Sequence, residues 1–269
     1  MRSTSALVLL REAVNRARVK QNFYIRGGTD LLPRAFAARL SDRIRYGAAV
    51  VGFGQDARGV RVAYAQGGVR TSLACDRLIC AVPFSVLRRM EVSGAHLSAA
   101  KRAAIEQMPY TSVARTYLQT RRKFWLEEGL SGTASTDDPY TATFDGAPGQ
   151  PGARGILETY MAGAPARRVT ALSENERVPS VLGLVEKLFP RVRESFEVGA
   201  SKCWDEDEWA RGGYAWYRPG QMTTLLPHAA SAEGRVHFAG EHTSSLFGWM
   251  QGALSSGERA AREVEAAGA

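Results

Sequence analysis

The sequence predicts an α/β protein of mixed α+β type, in which sheets are flanked by helices. Three observations lead to this class. A short apolar run at residues 236–239 is typical of a buried strand, and a helical pattern follows it at residues 250–264. A second apolar run at residues 78–82 stops at Pro83. Between these two parts, strand-like runs surround a capped helical segment at residues 173–188.

Composition limits the kind of protein. The 269 residues can form one large domain or two modest ones, and 45% hydrophobic with 23% charged residues is ordinary for a globular protein. The net charge of +8 comes from scattered arginines without an aromatic binding motif, so nucleic acid is not an expected partner. No run approaches the roughly 18 apolar residues of a membrane span. Without a convincing signal peptide, we expect a cytoplasmic protein.

The first block of the chain predicts two helices and a hairpin. The predicted elements are helices at residues 3–19 and 31–40, a strand at 44–53, a hairpin of 60–64 with 69–73, and the strand at 78–82. The first helix has an apolar face and a charged face. Its apolar face comprises Leu7, Leu10, Val14 and Ala17, and its charged face comprises Arg11, Glu12 and Arg16. The hairpin turns at Gly67-Gly68, because glycine adopts tight turns without strain.

The middle block predicts a sheet with helices on one side. The predicted elements are a helix at residues 98–107, strands at 110–118, 155–161 and 195–204, and a helix at 173–188. Ser173 with Glu176 three residues later forms a capping box, which begins that helix. Phe124-Trp125 is predicted to close the first of these strands. The three cysteines, Cys75, Cys80 and Cys203, lie in strand-like runs without a CxxC spacing, which argues against structural zinc.

The C-terminal stretch carries the strongest pattern. After the strand at 236–239 come Gly240, Glu241, a turn and Gly248-Trp249, and then a helix. Its predicted apolar face comprises Met250, Ala253, Leu254, Gly257, Ala261 and Val264, and its polar face comprises Glu258, Arg259, Arg262 and Glu263. Gly252 and Gly257 each cost this helix about 1 kcal/mol relative to Ala. Small residues and free N–H groups at a helix start suit a flat, electron-rich ring. By pattern alone, an ordinary strand-loop-helix is equally consistent.

The letters FAGE, then GWMQGA seven residues after Glu241, then SGERAA closely resemble the C-terminal flavin-binding signature of the flavin amine oxidases. That family includes the monoamine oxidases and the L-amino acid oxidases. The resemblance implies that Gly240 and Glu241 belong to the FAD site, with Glu241 binding the ribose. It places Gly248 and Trp249 beside the flavin ring on the substrate side, with Trp249 also next to the cofactor. It aligns the backbone of four residues with the pyrimidine end of the ring: Met250, Gln251, Gly252 and Ala253.

Two earlier segments also resemble this family. Gly27-Gly28 with Leu32-Pro33 precedes Val50, whose backbone would contact the adenine side of FAD. The loop around Tyr214 and Trp216 resembles the segment that supplies one of two aromatic rings around the amine, and both residues are candidates. The second ring would be Trp249. No cysteine occupies the position that links covalently to flavin in monoamine oxidases, so the resemblance implies non-covalent FAD.

Arg115 departs from the family pattern. It aligns with a lysine that holds a water near the flavin N5 in many members, and it is the one catalytic candidate that the resemblance gives. An arginine cannot deprotonate and binds water in a fork. None of the four histidines has the spacing of a metal ligand or of a nucleophile's base. His242 is equally consistent with a contact to the cofactor and with a solvated loop.

A second departure is the lack of the G-x-G-x-x-G segment that opens a typical member. The chain then resembles a subunit, a processed fragment or a degenerate gene product. The resemblance divides it into a first part of a Rossmann-like FAD-binding domain at 1–95, a substrate-binding domain with a mixed sheet at 96–224, and a C-terminal FAD-binding part at 225–269.

The function implied is oxidation of an amine or L-amino acid to an imine, with release of hydrogen peroxide. Activity would require the missing half, from a second polypeptide with G-x-G-x-x-G or a longer precursor, and a homo-oligomer is the alternative assembly. A rival hypothesis is a non-catalytic, partner-binding subunit. A third is a fold that binds a different ligand in the same groove.

Overall fold

A computed structural model of the chain describes residues 4–18, 23–135 and 142–268. Eleven α-helical segments occur in this part of the chain. They are α1 Ala6–Arg18, α2 Leu31–Arg39, α3 Phe84–Leu87, α4 Ala99–Gln107, α5 Phe124–Glu127, α6 Ala164–Thr170, α7 Glu174–Val185, α8 Val192–Ser195, α9 Gln221–Thr224, α10 Leu226–Ala230 and α11 Met250–Gly268.

Ten strands accompany these helices in the described residues and form three sheets. They are β1 Ala49–Gln55, β2 Val60–Gln66, β3 Val69–Cys75, β4 Leu78–Cys80, β5 Val113–Thr120, β6 Ala134–Ser135, β7 Ala142–Asp145, β8 Gly155–Ala162, β9 Phe196–Cys203 and β10 Val236–Phe238. The mixture of helices and sheets agrees with the predicted class. No helix in the described part of the chain is both long and apolar enough to cross a bilayer.

The chain forms two compact units. The described residues of 1–23, 30–110 and 214–269 form the first unit, and those of 24–29 and 111–213 form the second. The division of the chain into FAD-binding and substrate-binding segments stays a prediction, because it assigns roles that the fold alone does not test.

An antiparallel sheet β1-β2-β3 forms one side of the first unit. The predicted hairpin is confirmed, since β2 and β3 pair from Val60 with Cys75 to Gln66 with Val69 around Gly67-Gly68. Both glycines have positive φ, 58° and 80°, which the turn requires. The predicted strand at 44–53 begins later, at Ala49.

The centre of the first unit is the parallel pair of β4 and β10. Val236 and Phe238 of β10 are fully buried, and the surrounding core includes Phe84, Leu87 and Met108. Parallel strands are normally covered on both faces. Ile79 in the middle of β4 is nevertheless 39% exposed, so this pair is incompletely covered within the described chain.

The second unit is built on the five-stranded sheet β6-β7-β8-β5-β9, whose pairings are antiparallel. Alternate residues of β5 and β8 are buried, because one face of the sheet packs against α6 and α7. The predicted capping box of α7 is present. Phe124-Trp125 does not end β5 as predicted. It begins the short helix α5, because both rings pack fully into the core of this unit.

Helix α11 turns the opposite face inward from the one that the sequence predicts. Its buried residues are Gly252, Ser256 and Ala260, whereas Met250 and Leu254 of the predicted apolar face are about half exposed. Small side chains let the helix approach the turn after β10 closely.

Two polar side chains of α11 complete this inward face. Arg259 donates to the carbonyl oxygens of Phe238 and Ala230, at 2.7 and 3.2 Å. Glu263 accepts from Arg259 and pairs with the ring of His237 at 3.1 Å. These bonds satisfy the carbonyl groups at the ends of β10 and α10, so a polar face is the stable one to bury here.

Lys101 is a fully buried cation beneath β10. Its Nζ donates to the Ala229 carbonyl at 2.9 Å and lies 3.8 Å from the ring centroid of Phe238. Burial lowers the pKa of Lys101 to about 7, and the charge of Glu233 opposes this shift. The buried ammonium therefore lowers the free energy of unfolding at any pH at which it carries its proton.

We expect Lys101→Met to stabilise the protein most at acid pH. The folded-state pKa lies below the ordinary value of 10.5, so wild-type stability rises between pH 7 and 10.5, where only the unfolded chain keeps the proton. The stability difference between the variant and wild type should be larger near pH 6 than near pH 10 by up to roughly 5 kcal/mol, at about 1.4 kcal/mol for each unit of the pKa difference. Urea unfolding across this range measures it. The same substitution at an exposed lysine, Lys187→Met, is the control. If Lys101→Met differed from wild type by the same unfolding free energy at every pH, the lowered pKa of Lys101 would be contradicted.

Candidate functional site

The turn after β10 positions a carboxylate. Gly240 has a φ of 114°, and a 3₁₀ turn over Glu241–Thr243 follows. The Ala239 N–H donates to the Cys80 carbonyl of β4, and the Gly240 N–H donates to Ser256 Oγ of α11, both at 2.9 Å. Strand and helix thus fix the backbone from which Glu241 projects.

Glu241 joins two separate segments of the chain. Its Oε1 accepts the Ala215 N–H at 3.1 Å, and its Oε2 accepts the Gly248 N–H at 2.6 Å. Burial raises the pKa of Glu241, while these two hydrogen bonds and the nearby charge of Arg11 oppose the rise. Each carboxylate oxygen can accept a further hydrogen bond.

The structure brings Tyr214, Gly248 and Trp249 together around this carboxylate. Gly248 has a φ of 79°, and a Cβ there would lie 3.4 Å from the Tyr214 ring. Trp249 follows with half of its surface exposed. Trp216 is partly buried, and its backbone N–H donates to the Pro109 carbonyl. Tyr214, one of the two candidate aromatic residues, therefore lies beside the Gly248 turn.

Arg11 of α1 enters the site against the sequence prediction, which placed it on a solvated face. Its guanidinium lies 3.0 Å from the ring centroid of Phe247, which packs edge-on against Tyr217. The predicted apolar face is turned outward instead, as the exposure of Leu10 shows. A long arginine side chain on an aromatic ring can be buried with its charge retained.

Helix α11 begins directly after Trp249. The N–H groups of Gly252 and Ala253 donate to the Trp249 carbonyl at 3.0 and 3.3 Å, so those of Met250 and Gln251 are the ones that precede the helical hydrogen-bond pattern. Gln251 and Ala253 are exposed in this first turn. Gly252 is required by packing, because a Cβ there would lie 2.2 Å from the Leu246 carbonyl oxygen. The N–H groups of Met250 and Gln251 therefore lie at an accessible helix start.

Of the two interpretations of His242, the solvated loop residue is wrong. It is buried, with its ring 4.4 Å from the centroid of Phe84, and burial lowers its pKa to about 3. Among the described residues, no cluster of His, Cys, Asp and Glu could hold a metal ion.

The remaining predicted site residues, Val50 and Arg115, belong to β1 and β5. Val50 lies at the start of β1, opposite Tyr64 and beside an irregularity in the strand register. Arg115 belongs to the second unit, where it pairs with Glu158 and lies 4.9 Å from the ring centroid of Tyr160. The charge of Arg115 is therefore balanced by a carboxylate of its own sheet.

The residues around Glu241 fit the requirements of a flavin dinucleotide. An ionised carboxylate with remaining acceptor capacity suits the hydroxyl groups of a ribose. The accessible start of the 19-residue helix α11 suits the electron-rich edge of a flat ring. A strand, a glycine turn and a long helix arranged in this way are the elements of a nucleotide-binding site.

The chain belongs to the family of flavin containing amine oxidoreductases, whose family model matches residues 3–265. The cyclohexylamine oxidase of Brevibacterium oxydans shares the fold, with a TM-score of 0.79 and 22% identity over 88% of this chain and 52% of that chain. These findings confirm the predicted family, the α/β fold class and FAD as the cofactor.

Two sequence relatives are named as amino acid oxidases. The chain is 35% identical to YobN of Bacillus subtilis, named as an L-amino-acid oxidase, over 97% of this chain and 56% of the relative. It is 32% identical to the flavin-dependent L-tryptophan oxidase RebO of Lentzea aerocolonigenes, over 90% of this chain and 52% of the relative. The chain thus spans about half the length of the relatives it matches.

Three site residues were missed by sequence reasoning. Ala215 contributes only its backbone N–H, which no side-chain pattern reveals. Ser256 was passed over as an ordinary helix residue, although its position four residues after Gly252 is a signal for the same helix face. Arg11 looked like surface charge, and the sequence carries no sign of its long-range partner Phe247.

We expect the two glycines of α11 to respond oppositely to alanine. Nothing lies near a Cβ at Gly257, so Gly257→Ala should raise stability by about 1 kcal/mol through helix propensity. Gly252→Ala should lower stability by about 1–3 kcal/mol, because the Leu246 carbonyl must move. Thermal unfolding of both variants tests this close approach. Equal stabilisation by the two would show that α11 does not pack on residue 246.

Proposed function

We propose that this chain takes part in FAD-dependent oxidation of an amine or an L-amino acid. The observation that carries the proposal is the buried carboxylate of Glu241, which lies between the Tyr214 loop and the Gly248-Trp249 turn at the start of α11. Membership of the amine oxidoreductase family supports the reaction class. The identity of the substrate comes from the names of relatives alone.

Each element of the site has a role in this proposal. Glu241 would accept hydrogen bonds from the ribose, and the helix start from Met250 to Ala253 would face the pyrimidine end of the ring, with the N–H groups of Met250 and Gln251 as its donors. When bound, FAD would supply the hydride acceptor, with oxygen as the final oxidant and hydrogen peroxide as its product. The substrate thereby becomes an imine, which water hydrolyses.

Tyr214 and Trp249 act on the substrate side. Two aromatic rings orient a neutral amine and exclude water from its reacting carbon. Arg115, on the sheet of the second unit, is the candidate for holding water near the reaction. Its pairing with Glu158 leaves the other guanidinium nitrogens able to donate.

The proposed activity requires a further segment with the dinucleotide-binding glycines, from a second polypeptide or from more of the same chain. Two features of the first unit and the length of the relatives support this. The parallel pair β4–β10 is incompletely covered, as the exposure of Ile79 shows. Met250 and Leu254 of α11 turn apolar side chains outward. The chain also spans only about half the length of its relatives.

We expect Glu241→Ala to weaken FAD binding by roughly ten- to a hundredfold. A hydrogen bond to a charged group is worth about 1.5–3 kcal/mol, and about 1.4 kcal/mol corresponds to a factor of ten. Titration of flavin fluorescence with the complex that contains the glycine-rich segment measures the dissociation constant. Glu258→Ala, an exposed acid on α11, is the control. Unchanged FAD affinity in Glu241→Ala would sink the cofactor assignment.

We expect Trp249→Ala to retain FAD and to reduce amine turnover, because the ring lies on the substrate side. Peroxide release and flavin titration on the same samples separate the two effects. The control is Trp209→Ala, the same substitution at an exposed tryptophan of the second unit. Loss of FAD affinity in Trp249→Ala would place this ring against the cofactor instead.

The alternative is a non-catalytic, partner-binding subunit. The observation that favours it is Arg115, which replaces the family's lysine and is paired with Glu158. A complex that binds FAD tightly but releases no peroxide with any amine or L-amino acid would support this alternative.

A further inference from the structure

We propose that Glu241 is a positioning residue for the substrate side of the site, independently of its contact with FAD. Its carboxylate holds the Tyr214 loop and the Gly248-Trp249 turn at one fixed spacing in the chain itself. Only the assignment of these two segments to the substrate side rests on the proposed function.

The geometry of the carboxylate carries this inference. Its two oxygens accept N–H groups from segments on either side of it in sequence, Ala215 at 3.1 Å and Gly248 at 2.6 Å. A rigid carboxylate that bonds two backbone amides at once sets the distance between them. That distance fixes the backbone positions from which the side chains of Tyr214 and Trp249 project.

The two bonds differ in exposure. The Ala215 bond is partly buried, whereas the short Gly248 bond lies at the exposed surface of the turn. The residues around Glu241 reinforce the same arrangement: Ala215 and Phe247 are buried on its two sides. The side chains of the two segments also differ in exposure, since Trp249 is half exposed. The hydrogen bond from the Gly248 N–H to Glu241, not side-chain packing alone, therefore positions the turn.

The substitution Glu241→Gln cannot accept both of these backbone N–H groups. A carboxylate offers acceptors at both ends, whereas a side-chain amide offers one acceptor and one NH₂ donor. In Glu241→Gln, one of the two backbone N–H groups would face an N–H donor. The variant is close in size and removes the bridge without leaving a cavity.

Hydrogen exchange of the chain without cofactor tests the bridge directly. In Glu241→Gln, we expect the amide of Ala215 or Gly248 to exchange at least about tenfold faster than in wild type, since its hydrogen bond is lost. The amide of Ala239, bonded to Cys80 in the sheet, should keep its protection and report that the fold is intact. Glu258→Gln, with the same charge change at an exposed position, should leave all three amides unchanged.

If Glu241→Gln unfolds, as loss of Ala239 protection would reveal, Glu241→Asp replaces it. The shorter side chain keeps the charge but cannot span both amides, so the expected result is again faster exchange at one of the two. Wild-type protection at both Ala215 and Gly248 in a folded variant would overturn the inference.

Kinetics of the FAD-saturated complex give a second readout. Because the bridge positions the substrate rings, Glu241→Gln should raise KM for the amine by about tenfold, with a smaller change in kcat. An unchanged KM would count against the positioning role. Failure of the proposed function is a separate outcome: it is seen as absence of FAD binding in wild type, whereas the exchange measurement needs no cofactor.

Discussion

The site depends on one constraint, which is the need of a buried carboxylate for hydrogen-bond donors. An ionised group removed from water without partners is strongly unfavourable. Glu241 meets this need with the backbone N–H groups of Ala215 and Gly248, and the cation of Arg11 lies nearby. Satisfying the charge therefore brings a loop, a turn and helix α1 to the same place. The same bonds leave acceptor positions through which a hydroxyl-bearing ligand can be recognised.

The packing of α11 follows a similar logic. The carbonyl oxygens of Phe238 and Ala230 lie where strand and helix end, so they need donors. Arg259 supplies them, and Glu263 balances its charge. A helix that must place this pair inward can approach only with small residues beside it, which explains Gly252 and Ser256. The apolar stripe of the same helix is then turned outward. The need of these carbonyl oxygens for hydrogen-bond donors, and not the burial of apolar side chains, sets the orientation of the helix.

These contacts show which features the sequence could predict. The hairpin, the capping box of α7 and the strand at Val236 depend on local periodicity and turn residues, so they were predictable. The roles of Glu241 and Gly248 followed from the family resemblance, but the hydrogen bond between them did not. The inward faces of α1 and α11 were predicted wrongly, because Arg11 and Arg259 have partners distant in sequence. That Tyr214 lies beside Gly248 depends on long-range packing, which no spacing rule contains.

The outward stripe of α11 has an energetic consequence for the proposed assembly. Met250 and Leu254 lie on the same helix whose first turn offers donors to the cofactor. A segment that covers the stripe would fix this helix, and a ligand at its first turn would fix it as well. Whichever binds first removes part of the ordering cost for the other. Because coupling between two binding events is reciprocal, FAD should tighten the binding of the covering segment by the same factor by which that segment tightens FAD.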